Sequence, residues 1–159
     1  TDSYAYIFAN PRFWRALRIS VVKTVLGTLI TTFFTVLLAV GLGAALGAML
    51  RWALSYWFNR VWDVMPAGTL LCNLVGAFVI GLVTAYLALH PAVPAWVRLF
   101  AVTGLLGGLT TFSTFSMENV ALMTAGAWGR AFCHAAAHLL GSFAMTGAGF
   151  ALMKALLRG

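Results

Sequence analysis

Acidic residues are nearly missing from this chain: three of 159, against ten Lys and Arg, and all charged residues together make up 8%. An average globular domain carries about 25% charge. With 62% hydrophobic residues and a mean hydropathy of +0.96, a chain this short cannot hide its oily surface in one water-soluble core. Lipid must cover part of it. Cysteine is also scarce. Cys72 and Cys133 sit in different apolar runs with no Cys-x-x-Cys or metal-ligand spacing, so no disulfide framework follows and both read as small buried residues. The N-terminus lacks a short apolar core followed by an Ala-x-Ala site, so no signal peptide is assigned. The excess of basic charge does not point to nucleic acid, because the basic residues stand singly at the ends of apolar runs, where they reach lipid headgroups.

What remains is a series of apolar runs with short polar punctuation. The first core span runs from about Leu37 to Phe58 and is rich in small residues at Gly41, Gly43, Gly47 and Ala48, with Arg51 near its end. Asn59 to Asp63 and Pro66 lead to a second span, roughly Ala67 to Leu89, which contains Asn73. His90-Pro91 ends it, since proline disfavours helix in the residue before it. A third run extends from about Val97 to Thr124, and a fourth from about Ala131 to Met153 with Lys154 and Arg158 beyond. Each reaches the roughly 20 residues needed to cross hydrocarbon. Residues 1 to 36 read as an N-terminal helical extension, and 37 to 159 as a four-helix domain. A helix from Ile19 to Phe58 would extend about 60 Å, twice the hydrocarbon thickness. It must protrude, bend near Gly41 and Gly43, or form an additional span. The segment Asn10 to Ala39 resembles a transmembrane stretch of sugar-type ABC-transporter permeases, without their coupling motif.

The third run carries the chemistry. Gly104-Leu105-Leu106-Gly107-Gly108-Leu109-Thr110-Thr111-Phe112-Ser113-Thr114-Phe115-Ser116 puts adjacent glycines and five hydroxyl residues at membrane depth. Glycines are poor helix formers, and Ser and Thr compete for backbone groups. Broken backbone there is tolerated only when buried in protein or lining a watery path, and it commonly turns carbonyls toward an ion. Phe112 and Phe115, three apart, share a helical face just after the break. On their own the two rings also suit plain helix packing, and Asn73 suits an interhelical hydrogen bond. Arg51 either snorkels to the interface or draws anions to a pore mouth. Glu118, the only acid inside a span, has either a buried partner or access to water.

From about Leu37 onward the chain resembles the Fluc (CrcB-type) fluoride channels. The resemblance rests on Gly43-Ala44-Ala45-Leu46-Gly47-Ala48-Met49-Leu50-Arg51-Trp52, on Gly68-Thr69-Leu70-Leu71-Cys72-Asn73-Leu74-Val75-Gly76-Ala77-Phe78, and on Gly107-Gly108-Leu109-Thr110-Thr111-Phe112-Ser113-Thr114-Phe115, in that order. It implies an all-α, dual-topology membrane protein of four transmembrane helices with a broken third helix, paired antiparallel into a homodimer with two narrow pores. It implies passive fluoride conduction across the inner (plasma) membrane, with no reaction catalysed. A structural sodium ion at the dimer centre would be held by the backbone carbonyls of Gly107 and Thr110. Phe112 and Phe115 would present ring edges, which carry partial positive charge, to fluoride. Asn73 would donate through its amide, and the Ser113 and Thr114 hydroxyls would lie near the pore.

One helix departs from the family. The fourth usually supplies a tyrosine and a serine along a polar track, whereas this chain has His134 and His138 on one face, with Ser142 one turn further. Imidazole N–H groups would replace hydroxyl donors there. The spacing also suits a metal, but two imidazoles lack a third ligand. Arg51, Arg60 and Arg130 on one side balance Arg98, Lys154 and Arg158 on the other, which permits insertion in both orientations. Arg12, Arg15, Arg18 and Lys23 of the extension disturb that balance. A proton-coupled small multidrug exporter of similar length would need a carboxylate in its first core helix, and Leu37 to Phe58 has none. A structural helix bundle would leave the glycines and paired phenylalanines unexplained.

Overall fold

The computed structural model describes residues 7–59 and 66–158. Arg60 and Asp63, which entered the charge and linker readings, lie outside these. The described residues are helical, without strands. In order they form α1 (Pro11–Phe58), α2 (Ala67–Leu89), a short α3 (Ala95–Arg98) that continues as a π-helix (Leu99–Leu106), α4 (Gly107–Leu109), α5 (Phe112–Thr124) and α6 (Trp128–Leu156). Four helical stretches are long and apolar enough to cross a membrane: Pro11–Phe58, Ala67–Leu89, Ala95–Thr124 and Trp128–Leu156. Large apolar side chains along them, among them Leu29, Phe33, Trp57, Phe132 and Phe143, are exposed in the single chain, as lipid- or partner-facing residues would be.

The chain divides into two compact units, Thr1–Leu37 and Leu38–Gly159. In the first, Asn10 Oδ1 accepts from Arg12 N at 2.9 Å and starts α1, while Trp14 Nε1 donates to the Phe8 carbonyl at 2.8 Å. α1 continues as helix through Gly41 and Gly43.

In the second unit, glycine sets the packing distance. A Cβ at Gly47 would collide with the Leu105 carbonyl oxygen, and one at Gly108 would lie 3.0 Å from the Ala44 Cα, so α1 and the third span touch backbone to backbone. Gly149 does the same for α6 on α2, where a Cβ would strike the Phe78 carbonyl oxygen. Without a hydrophobic drive between helices in lipid, such close approach is what holds them. At the end of α5, Gly126 takes φ +72°, Gly126 N donates to Met123 O at 3.0 Å and Ala127 N to Leu122 O at 2.9 Å. That pair of bonds closes a Schellman turn and permits α6 to begin at Trp128. Cys72 is buried as expected, but Cys133 is exposed. One residue is about 100° of helix, and the inward face of α6 is taken by its neighbour His134.

Candidate functional site

The third span changes character four times between Ala95 and Phe112. Its π-helical turn over Leu99–Leu106 inserts extra backbone per turn, a feature that often marks functional sites. The glycines that follow are not themselves the interruption. Gly107 is right-handed helical (φ −64°, ψ −35°), whereas Thr110 (φ −82°, ψ 154°) and Thr111 (φ −149°, ψ 121°) are extended.

Side chains compensate that interruption. Thr111 N donates to Asn73 Oδ1 at 2.8 Å, and Asn73 Nδ2 donates to Thr111 O at 3.1 Å. Asn73 on α2 thus acts as one rung of an artificial ladder. Thr111 then caps α5, its Oγ1 accepting from Thr114 N at 3.1 Å. Both bonds divert donors that would serve carbonyls four residues back in a continuous helix. Thr111 N is turned from Gly107 O, and Thr114 N from Thr110 O. The two carbonyls that the resemblance assigns to sodium are therefore those deprived of their ordinary helical donors. Arg51 Nη1 lies 3.5 Å from Thr110 O, which puts a guanidinium beside that carbonyl.

A cavity of about 650 Å³ opens beside this interruption. Asn73, Gly107, Thr110, Phe112, Phe115, His138 and Ser142 reach its wall, and among the described residues no Lys, Arg, Asp or Glu does. Phe112 is 80% exposed. Phe115 is held from behind: its ring stacks on His134 with centroids 5.4 Å apart and lies tilted against His138 with centroids 4.7 Å apart. Ser113 and Thr114, by contrast, turn toward Thr111, with Ser113 Oγ 3.3 Å and Thr114 Oγ1 3.0 Å from Thr111 Oγ1, and neither reaches the cavity wall. His134 is buried behind Phe115 and does not reach it either.

Asn73 has little left to offer a ligand. Besides Thr111 O, its Nδ2 faces His138 Nδ1 at 3.1 Å. Because a backbone N–H can only donate, Thr111 N fixes which amide atom is oxygen, so Asn73 donates to His138 and the neutral ring carries its proton on Nε2. Glu118, whose surroundings the sequence left open, has buried partners. Thr69 Oγ1 donates to Glu118 Oε1 at 2.6 Å, and His134 Nε2 stands 3.4 Å from Glu118 Oε2. Thr69 went unnoticed in the sequence, although it lies one turn before Asn73 on the same face of α2.

The profile of the family described as CrcB-like protein, Camphor Resistance (CrcB), matches residues 38–150. The chain belongs to the CrcB family. A CrcB relative from Thiobacillus denitrificans, named fluoride-specific ion channel FluC, is 56% identical over 107 residues, 67% of this chain and 86% of the relative. One of the same name from Bordetella pertussis is 53% identical over 110 residues, 69% of this chain and 84% of its own. A third, from Marinobacter nauticus, is 48% identical over 111 residues, with 69% and 86% covered. CrcB membership and the four apolar helical stretches together make this a multi-pass membrane protein, and not an enzyme.

Proposed function

We propose that this CrcB-family chain is a passive, fluoride-selective channel that lowers fluoride in the cytoplasm. The observation that carries the reading, beside the name its relatives bear, is a cavity walled by the rings of Phe112 and Phe115 and lined, among the described residues, by no Lys, Arg, Asp or Glu. A small, strongly hydrated anion must lose water to pass, yet a fixed cation on the wall would trap it. Aromatic edges and hydroxyl or N–H donors replace that water weakly enough for exit. Phe112, Phe115, His138 and Ser142 are the wall residues in this account. Asn73 serves by holding Thr111 and His138. Ser113, Thr114 and His134 stand behind the wall, and Arg51 supports the Thr110 carbonyl and draws anions toward the mouth.

The working form is an antiparallel homodimer in the inner membrane. The exposed Phe112 and the open side of the cavity suit a surface completed by a second copy. The carbonyls of Gly107 and Thr110, released from helix bonding by Asn73 and Thr111, fit a hard cation such as sodium, which binds oxygen ligands. Gly107 and Thr110 would hold the ion through these carbonyls, and it would supply a fixed positive charge there. The channel domain is 37–159, and residues 1–36 are an N-terminal extension to it. Expression in a fluoride-sensitive bacterium lacking its own fluoride exporter tests the function in cells. Growth on fluoride should be restored, and continued sensitivity with protein present in the membrane would contradict it.

A further inference from the structure

The fold supplies the third ligand that the histidine pair lacked. One carboxylate oxygen of Glu118 and one ring nitrogen each of His134 and His138 lie within 4.8 Å of one another. Three atoms so spaced share a point at most about 2.8 Å from each, which is 4.8 Å divided by √3. The 3.4 Å between His134 Nε2 and Glu118 Oε2 is long for a hydrogen bond. It is close to the edge of a tetrahedron whose bonds measure about 2.0–2.1 Å, as at zinc. His134 and His138 are 1% and 5% exposed, and Glu118 Oε2, both nitrogens of His134 and Nε2 of His138 are buried without a hydrogen-bond partner. Buried polar atoms are nearly always paired; here His138 Nε2 has no partner, and His134 Nε2 and Glu118 Oε2 meet only each other at 3.4 Å, which points to a ligand between the three.

We propose that Glu118, His134 and His138 form a site for a transition-metal dication of the zinc class, whose open fourth position takes fluoride. The fluoride half of this rests on the channel reading, whereas the metal half does not. Two imidazoles and a carboxylate suit zinc, copper or nickel. With one carboxylate the complex keeps a single positive charge, which is costly among apolar helices, and one fluoride ion cancels it. Fluoride held this way is retained instead of passed on, so the metal slows conduction.

The outer contacts favour one ligand and oppose another. Thr69 fixes Glu118 through Oε1 and leaves Oε2 for the ion. Asn73 keeps the His138 proton on Nε2, so ligation there moves that proton to Nδ1. Asn73 must then turn its amide to accept it and give up its bonds to Thr111. The ion therefore also loosens the extended residues of the third span.

Full-length protein purified with chelator, then titrated with zinc chloride and separately with cobalt chloride, tests the site. One ion per chain should bind, cobalt should give the visible absorption of a tetrahedral site, and sodium fluoride should tighten zinc binding. Thr69→Val should weaken binding about 10–100-fold, as loss of an outer-shell contact does, and Glu118→Gln, which keeps size and shape, should weaken it further. Equal zinc binding in wild type, Glu118→Gln and His134→Gln would overturn the site, as would no binding in wild type. In liposomes, zinc should slow fluoride efflux and EDTA restore it. Metal binding that leaves efflux untouched would overturn the fluoride position. Absence of efflux with and without metal would contradict the channel reading, while the titrations still decide the metal site.

Discussion

Asn73 and Thr111 are bonded twice, side-chain amide to backbone, at 2.8 and 3.1 Å, and this reciprocal pair takes the place of helix bonding where the third span becomes extended. Two helices are joined there by one side chain, and the same side chain orients His138.

Asn73→Ala should therefore be structural in its first effect. It strands the N–H and C=O of buried Thr111, and each unpaired group costs about 1–3 kcal/mol. Lowered thermal stability of the purified protein, together with lost fluoride flux, is the expected result. Asn73→Asp keeps an acceptor for Thr111 N but no donor, and should fall between wild type and alanine. Stability in Asn73→Ala equal to wild type would show that the bonds are not supporting the extended residues.

The two phenylalanines should separate by environment. Phe112 is 80% exposed in the single chain, so Phe112→Ile should leave the fold of the subunit alone and cut fluoride flux. Losing about 1.4 kcal/mol of ion stabilisation at the barrier would slow passage about tenfold. Phe115→Ile should cut flux and also lower stability, since its ring contacts His134 and His138 at 5.4 and 4.7 Å. Wild-type flux in both variants would reduce the rings to packing.

Adjacent glycines should respond differently. A Cβ at Gly108 would meet the Ala44 Cα at 3.0 Å, whereas one at Gly107 meets only the Val102 carbonyl oxygen at 3.8 Å. Gly108→Ala should destabilise the subunit by pushing α1 away, visible as a lower melting temperature or poor yield. Gly107→Ala should fold normally. Any defect it shows in sodium dependence or dimer formation then reports on what lies outside the subunit. Equal stability in the two variants would contradict this assignment.

Sodium should matter through backbone, not side chain. Thr110→Ser keeps the carbonyl and a hydroxyl that can still bond Leu106 O, as Thr110 Oγ1 does at 2.9 Å. It should retain sodium-dependent dimer stability. Replacing sodium by a large organic cation should weaken the dimer in wild type and in this variant alike. Dimer stability indifferent to sodium in both would remove the ion from the account.

Much of this was legible in the residues themselves. Ala67 and Leu89, flanked by Pro66 and His90-Pro91, bound a helix because proline acts locally. The exposure of Cys133 was not legible, since which face of α6 turns inward depends on the helices it meets. The stretch Gly107-Gly108 drew attention as a place of poor helix formers, yet the glycines stay helical and the threonines after them are extended. Glycine here answers the need for close approach to Ala44, while Thr111 leaves the helix because Asn73, 38 positions earlier, offers it a second set of bonds. Glu118 joins His134 and His138 for the same reason. No local spacing announces a partner from another helix, and the π-helical turn at Leu99–Leu106 left no residue pattern either.

The most direct measurement of the central claim is anion efflux from liposomes holding the purified full-length protein, with valinomycin and a potassium gradient setting the voltage and no pH gradient present. Fluoride and chloride are followed side by side, and protein-free vesicles are subtracted. Fast, protein-dependent fluoride efflux with chloride close to background is the expected result. Equal rates for the two anions, or fluoride movement only when a proton gradient is imposed, would contradict it.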